Sequence, residues 1–151
     1  MTIYYLDASA WVKRYFVEPG SARILALFKE HAPFACSSLG QVEVAGTLAR
    51  QEGLREKTSQ SEDLKRLLTG HWIEFFAVEI DTPILELAAS LAWTKRLRGA
   101  DAIHLASADL LRQRMGKLAI DVILVTSDAE LVVAAKSIQL EVLDPTQETR
   151  G

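Results

Sequence analysis

Four carboxylates in this chain are candidates for a single chemical site. Asp7 directly follows the β-favouring run "IYYL", and Asp128 follows the run "VILVT" at a distance of two residues. Glu43 lies among small apolar residues in "SSLGQVEVAGTLAR", and Asp101 occurs near the start of "ADAIHLASAD". Clustered carboxylates repel one another, and Mg²⁺ or Mn²⁺ relieves that repulsion because these hard cations prefer oxygen ligands. Such a site suits phosphodiester hydrolysis, in which the metal activates water and neutralises phosphate charge.

Each of these carboxylates also has an ordinary structural explanation. Asp7 and Asp128 are possible helix N-caps, because a short carboxylate at that position accepts hydrogen bonds from the first amides of a helix. Glu43 and Asp101 occur near predicted helix starts, where the helix dipole favours an acidic residue. Considered one at a time, the residues leave both interpretations open.

The elements that carry these residues alternate between strands and helices. Strands are predicted over 3–6, 34–37, 73–79, 121–126 and 140–143. Helices are predicted over 9–20, 21–31, 39–52, 56–70, 82–98, 100–115 and 128–138, with N-caps at Ser21, Ser38 and Thr82. This alternation predicts an α/β fold with a parallel sheet that is covered on both faces. Ligands of such folds bind at the carboxyl ends of strands, where Asp7 and Asp128 are expected.

Several other residues could assist the carboxylates. Ser9 and Thr126 are predicted to hydrogen-bond the waters or ligands of a metal. His104 is interpreted as a hydrogen-bonded packing residue and Trp11 as a packing residue, while widely separated histidines and one cysteine argue against zinc. Basic residues that could hold flanking phosphates, but that a solvated surface position would also explain, are Lys13, Arg14, Lys95, Arg96 and Arg98.

The composition indicates one globular domain. The chain has 151 residues, of which 49% are hydrophobic and 25% charged, an ordinary balance for a globular protein. The net charge of −3 argues against non-specific coating of nucleic acid, although it is compatible with a nucleic-acid enzyme. No apolar run is long enough for a membrane span, and signal-peptide features are missing from the first residues. The single Cys36, interpreted as a buried small residue, favours a reducing, cytoplasmic location.

Four blocks, taken in order, resemble the PIN-domain ribonucleases, and in particular the VapC-type toxins of prokaryotic toxin–antitoxin pairs. The first block is "YLDASAWVKRYFVEPGS", with its D-x-S pattern and its E-x-G-S turn. The second is "SSLGQVEVAGTLAR", the third is "ADAIHLASA", and the last is "VTSDAEL" followed by "LEVLDP". No single block is specific, but together they cover about residues 3–145.

The resemblance implies a three-layer α/β/α sandwich with a five-stranded parallel sheet of order 3-2-1-4-5. It implies a single PIN-like domain over 1–151, with a core of about 3–145. The implied activity is that of an endoribonuclease dependent on Mg²⁺ or Mn²⁺, with RNA as substrate and with a cognate antitoxin and a second copy of the chain as partners. Ala100 departs from the family pattern, in which a charged or hydroxyl residue often precedes the third acid. The implied metal-binding and catalytic residues are Asp7, Glu43, Asp101 and Asp128, supported by Ser9 and Thr126.

Two other functions remain open from the sequence. A phosphatase of the haloacid-dehalogenase class also begins with an Asp after a strand, but its D-x-D pattern would require an acid where this chain has Ser9. Trapping of an aspartyl-phosphate at Asp7 would favour that class. A non-catalytic PIN-like interaction module would be expected to lack one of the four acids, and it would give no heat with Mn²⁺ in calorimetry.

Overall fold

One parallel sheet forms the centre of the computed structural model, which describes residues 1–51 and 59–148. Within those residues its strands are β1 (Thr2–Leu6), β2 (Phe34–Ser37), β3 (Phe76–Val78), β4 (Asp121–Val125) and β5 (Glu141–Leu143). Their spatial order is β3-β2-β1-β4-β5, and every neighbouring pair is parallel. The predicted strand order is therefore confirmed. From β1 the chain adds β2 and β3 on one side and then β4 and β5 on the other. The strand order therefore switches at β1, and a ligand site is expected at its carboxyl end.

Helices cover both faces of this sheet. They are α1 (Ala8–Trp11), α2 (Ser21–Lys29), α3 (Ser38–Arg50), α4 (Ser59–Glu74), α5 (Thr82–Lys95), α6 (Gly99–Gly116) and α7 (Ala129–Ser137), with a 3-10 turn at Val12–Arg14. Side chains alternate along β1, because successive residues of a strand point to opposite faces. Ile3 and Tyr5 pack in the core beneath α5, α6 and α7, while Leu6 packs in the core beneath α1 to α4. The predicted α/β/α sandwich is thus confirmed.

The register between β1 and β4 determines which residues meet at the carboxyl edge of the sheet. Leu6 at the end of β1 pairs with Val125 at the end of β4. Asp7 and Thr126 are the next residues of their strands, so both leave the sheet at the same edge. This placement brings together residues that are far apart in the sequence.

Several predicted boundaries of helices and strands are wrong. The first α-helix ends at Trp11 rather than continuing to residue 20, and the strand predicted over 73–79 begins only at Phe76, after α4. The break before α6 occurs at Arg96, which has a left-handed backbone with φ of 54°, whereas Gly99 is already helical. Positions 52 and 56–58 of two predicted helices lie outside the described residues.

The N-caps predicted at Ser21, Ser38 and Thr82 are each placed one residue too late. Gly20, Ser37 and Asp81 precede the helices instead. Ser37 Oγ accepts from the amide of Leu39 at 3.2 Å, and Asp81 Oδ1 accepts from the amide of Ile84 at 3.1 Å. The hydroxyl of Ser21 is engaged outside α2, because it accepts from the amide of Glu18 at 3.0 Å and donates to the carbonyl of Phe16 at 2.8 Å.

Membrane insertion through a helix finds no support in residues 1–51 and 59–148. None of the helices there has both the length and the apolar character needed to cross a bilayer.

Candidate active site

Asp7 is a buried carboxylate with both oxygens engaged. It is the N-cap of α1, and its Oδ1 accepts hydrogen bonds from the amide of Ala10 and the hydroxyl of Ser9, each at 2.8 Å. Its Oδ2 accepts from Thr126 Oγ1 at 2.5 Å. Only 3% of the residue is exposed, and burial raises the pKa of its carboxyl above the ordinary value. These donors hold the carboxylate rigidly at the end of β1.

Asp128 lies on the neighbouring strand end and is linked to Asp7 through Thr126. The hydroxyl of Thr126 accepts from the amide of Asp128 at 3.1 Å and donates to Asp7. Asp128 is the N-cap of α7, where its Oδ1 accepts from the amide of Leu131 at 2.9 Å. Both predicted N-caps are therefore present. The cap of α7 occupies one carboxylate oxygen and leaves Oδ2 of Asp128 facing Arg98, 3.6 Å from Nη2.

Asp101 in the first turn of α6 lies close to Asp128. Arg98 spans the two, because its Nε is 3.4 Å from Asp101 Oδ2 while its Nη2 reaches Asp128. Burial, and then the negative charge of Asp128, raise the pKa of Asp101, while Arg98 acts in the opposite direction. Among the residues described, Oδ2 of Asp101 is buried without a hydrogen bond, and only this ion pair contacts it. A buried carboxylate oxygen with so little compensation is suited to a bound cation.

Glu43 reaches the same region from α3 and is bonded to His104. Its Oε1 lies 2.5 Å from His104 Nε2, and His104 Nδ1 lies 2.9 Å from the hydroxyl of Tyr5. The interpretation of His104 as a buried, hydrogen-bonded residue agrees with this geometry. Tyr5 was not singled out by its sequence position. The available signal was a tyrosine in a buried strand, since a buried phenol normally finds a partner.

The carboxylates occupy one region but are not a ready-made metal cluster. No group of three or more His, Cys, Asp or Glu side chains in residues 1–51 and 59–148 forms a cluster that could hold a metal ion as it stands. In this arrangement Arg98 lies between Asp101 and Asp128, and Glu43 is bonded to His104. The Arg98 side chain is 78% exposed, so it can move away without disturbing the core.

The aromatic and basic residues near the site differ in their accessibility. Trp11 is fully buried and packs on Trp72 and Phe75, with ring centroids 5.9 Å and 4.7 Å away. The packing interpretation of Trp11 is therefore correct. Lys13 is buried as well and forms an ion pair of 3.4 Å with Glu18.

An open groove lies beside the carboxylates. Its volume is about 690 Å³, and Ser9, Glu43 and Ser127 contribute to its walls. Lys13 and Arg50 line it too, which brings positive charge close to the acidic site. A groove with this mixture of charges can accept a polyanion alongside the carboxylates.

Comparison with known proteins identifies the family. The PIN domain family model matches residues 4–137, a range that begins within β1, includes β2 to β4 and contains all four carboxylates. The chain belongs to the PIN-domain family.

Named relatives narrow this assignment to the VapC type. Ribonuclease VapC49 of Mycobacterium tuberculosis is 38% identical over 111 residues, which are 72% of this chain and 76% of the relative. Ribonuclease VapC46 of the same organism is 30% identical over 146 residues, which are 97% of this chain and 100% of the relative. A toxin–antitoxin complex from Klebsiella pneumoniae has the same fold, with a TM-score of 0.65, 18% identity, and coverage of 94% of this chain and 97% of that one. This is a PIN-domain protein of the VapC type.

In this PIN domain the four sequence blocks of the resemblance reach one edge of the sheet from different elements. Asp7 follows β1 and Asp128 follows β4, while Glu43 and Asp101 come from α3 and α6. Helices therefore supply half of the carboxylates, which explains why the strand ends alone indicate only the other half.

Proposed function

We propose that this chain is an endoribonuclease dependent on Mg²⁺ or Mn²⁺, the toxin of a type II toxin–antitoxin pair, acting as a single PIN-like domain in the cytoplasm. The observation that supports the proposal is that Asp7, Asp101 and Asp128 lie near one another at the carboxyl edge of β1 and β4, while Glu43 lines the adjoining groove with Ser9. Asp7 and Asp128 are joined through Thr126, and Asp128 and Asp101 are joined through Arg98. The names of the VapC relatives supply the substrate class.

The residues present fit a hard divalent cation. The donor set consists of carboxylate oxygens, which Mg²⁺ and Mn²⁺ prefer. Oδ2 of Asp101 is buried without a hydrogen bond in the described part of the chain, which suits an oxygen that binds a cation. The residues proposed to hold the metal are Asp7, Glu43, Asp101 and Asp128. A cation bound there would activate water and neutralise charge on the phosphate.

The chain's own residues would orient the reacting groups. Ser9 and Thr126 fix the two oxygens of Asp7, so this carboxylate presents a constant direction to its ligand. Arg98 is exposed next to Asp101 and Asp128, and its guanidinium suits a phosphate flanking the scissile bond. The groove lined by Lys13 and Arg50 would hold the adjoining part of the RNA strand.

The test is cleavage of RNA by the purified protein. We expect cleavage with Mg²⁺ or Mn²⁺, little with Ca²⁺, and none with excess EDTA, because the proposed chemistry needs a cation that activates water and neutralises charge on the phosphate. Asp7→Asn should be inactive although folded. Full activity in EDTA without added metal would refute the proposed chemistry.

The proposed partners follow from the relatives and can be tested separately. Expression of the wild-type chain alone should slow bacterial growth, and Asp7→Asn should remove that effect. Co-expression of a cognate antitoxin, which we propose covers the acidic pocket, should restore growth. For the proposed homodimer, light scattering at high micromolar concentration should give twice the mass of the chain, and a monomer would refute it.

The phosphatase alternative has less support than the ribonuclease. A phosphatase of that class would require a second acid at the position of Ser9, whose hydroxyl instead donates to Asp7. Failure to trap an aspartyl-phosphate at Asp7 is the expected result.

A further inference from the structure

A buried line of hydrogen bonds leads from the backbone of β2 to Glu43. The amide of Ser37 lies 3.1 Å from the hydroxyl of Tyr5, which lies 2.9 Å from His104 Nδ1, and His104 Nε2 lies 2.5 Å from Glu43 Oε1. We propose that His104 is a positioning residue, held by Tyr5 with its proton on Nε2, that fixes Glu43 in the orientation the metal site needs. This inference rests on the proposed function, since it treats Glu43 as a metal ligand.

The direction of each hydrogen bond follows from its first donor. A backbone amide can only donate, so the Tyr5 oxygen accepts from Ser37. Burial raises the pKa of the Tyr5 phenol well above its usual value, so the phenol keeps its proton. That proton is directed to His104 Nδ1, which must therefore be the acceptor nitrogen. The ring proton is then on Nε2, where it is donated to the Glu43 carboxylate.

A second candidate partner of the Tyr5 hydroxyl is that of Ser107, which lies near enough to lower the pKa of the phenol against the larger effect of burial. Within the described residues, however, Ser107 Oγ has no hydrogen-bond partner. Tyr5 and His104 also meet edge to face, with ring centroids 5.9 Å apart and an interplanar angle of 73°. The contact geometry therefore favours His104 as the acceptor.

Close packing prevents the His104 ring from turning to another partner. The residue is 2% exposed. On the α3 side, a Cβ added to Gly40 would lie 3.3 Å from His104 Cε1, so the helix backbone itself closes that side. Cys36, fully buried, packs against the same glycine. His104 is thus a fixed donor rather than one of several rotamers.

One oxygen of the Glu43 carboxylate is held by His104, and the side chain also faces the open groove. Its side chain is 31% exposed and contributes to the wall of the open groove. With Oε1 bonded to His104, the side-chain torsions of Glu43 are restricted, while Oε2 has no hydrogen bond from residues 1–51 and 59–148. Because the Glu43 side chain is already ordered, metal binding does not have to offset the loss of its conformational entropy.

Two measurements test the inference. The first is the nitrogen-15 spectrum of His104 in the metal-free protein, in which we expect Nε2 in the protonated range and Nδ1 in the unprotonated range. Tyr5→Phe should weaken that preference, whereas Ser107→Ala and Tyr4→Phe, a matched hydroxyl loss on the same strand, should leave it unchanged. A proton found on Nδ1 in the wild type would overturn the inference. A loss of the preference in Ser107→Ala would overturn it too.

The second measurement is Mn²⁺ affinity by calorimetry for a matched pair of amide variants. His104→Gln retains a donor that extends to about the position of Nε2, and it should bind Mn²⁺ nearly as well as the wild type. His104→Asn keeps the amide but falls short of Glu43, and its affinity should drop by roughly 10- to 100-fold, the usual effect of losing an outer hydrogen bond to a ligand. Far-ultraviolet circular dichroism checks that both variants fold, and Tyr5→Phe, with its small change in volume, provides a third affinity value that should also fall.

The possible results separate the two proposals. Equal Mn²⁺ affinity in wild type, His104→Asn and Tyr5→Phe would overturn the positioning role while leaving the metal site intact. No Mn²⁺ binding by the wild type would overturn the proposed function and this inference with it. Reduced affinity in His104→Asn and Tyr5→Phe, with recovery in His104→Gln, is the supporting result.

Discussion

The hydroxyl of Thr126 lies 2.5 Å from the buried Oδ2 of Asp7, although 119 positions separate the two residues in the chain. The same hydroxyl accepts from the amide of Asp128. One side chain therefore connects the ends of β1 and β4, since its hydroxyl holds the carboxylate of Asp7 and the backbone amide of Asp128.

Thr126→Val should lower both activity and stability. Valine keeps the shape of threonine, but it leaves Asp7 Oδ2 without this donor and the Asp128 amide without its acceptor. Unsatisfied buried groups cost about 1–3 kcal/mol, a loss that urea unfolding of the metal-free protein would measure. Thr94→Val is the matched control, because the Thr94 hydroxyl donates within its own helix, to the carbonyl of Ser90. Equal stability of the two variants would contradict the connecting role of Thr126.

Arg98→Gln should affect metal binding and RNA cleavage in opposite directions. Removing the guanidinium between Asp101 and Asp128 removes a competing cation, so Mn²⁺ should bind more tightly. Exposed ion pairs contribute at most about 1 kcal/mol, so the gain should not exceed about fivefold. Cleavage should nevertheless fall, because the proposed phosphate contact is lost.

Arg96→Gln is the control for this experiment, since it removes the same charge from the exposed turn before α6. Calorimetry and cleavage rates should show little change in that variant. If both variants gave the same results, general charge rather than the position of Arg98 would be responsible.

The stability of the metal-free protein should decrease as the pH rises above about 4, the ordinary pKa range of Asp. Burial raises the pKa of Asp7, and burial followed by the charge of Asp128 raises that of Asp101. The folded state therefore binds more protons than the unfolded chain between the ordinary and the raised pKa values, and stability falls through that window. Below it both states are protonated, so the penalty disappears.

Asp101→Asn provides the comparison for this pH dependence. Its melting temperature should match that of the wild type near pH 4 and exceed it at neutral pH. A relief of about 1 kcal/mol would correspond to roughly 2–4 °C in a protein of this size. The variant should also show a smaller stabilisation by Mn²⁺. A lower metal-free melting temperature with an undiminished Mn²⁺ shift would instead mean that Asp101 serves only the start of α6.

Gly40→Ala should destabilise the protein, although alanine normally favours a helix by about 1 kcal/mol over glycine. A Cβ at this position would lie 2.2 Å from Cys36 Sγ, and overpacking of this kind costs about 1–3 kcal/mol. Gly46→Ala in the same helix is the control, because among the described residues its Cβ would approach only the Arg50 side chain, at 3.4 Å. The melting temperature of Gly40→Ala should be lower than that of the wild type, and that of Gly46→Ala should not. Cys36→Ala combined with Gly40→Ala should recover part of the loss, and no recovery would contradict the clash.

The pattern of residues determines most of the architecture. Alternating strand and helix signals predict an α/β fold, and the four acidic blocks predict the PIN family. Both are confirmed by the sheet order and the family match. The predicted helix ends were less accurate, because the capping residue depends on which backbone or side-chain group each polar side chain bonds. The hydroxyl of Ser21, for example, bonds the carbonyl of Phe16, and Gly20 rather than Ser21 is the N-cap residue of α2.

The relations between side chains across the site were decided by the tertiary structure. The bond between Thr126 and Asp7, that between His104 and Glu43, and the bridging position of Arg98 depend on register and packing. Their roles in metal binding and catalysis stay predictions. A sequence pattern reports which face a residue occupies, because periodicity follows from backbone geometry. It does not report which distant polar group a buried side chain meets, since that depends on how separate elements pack against one another.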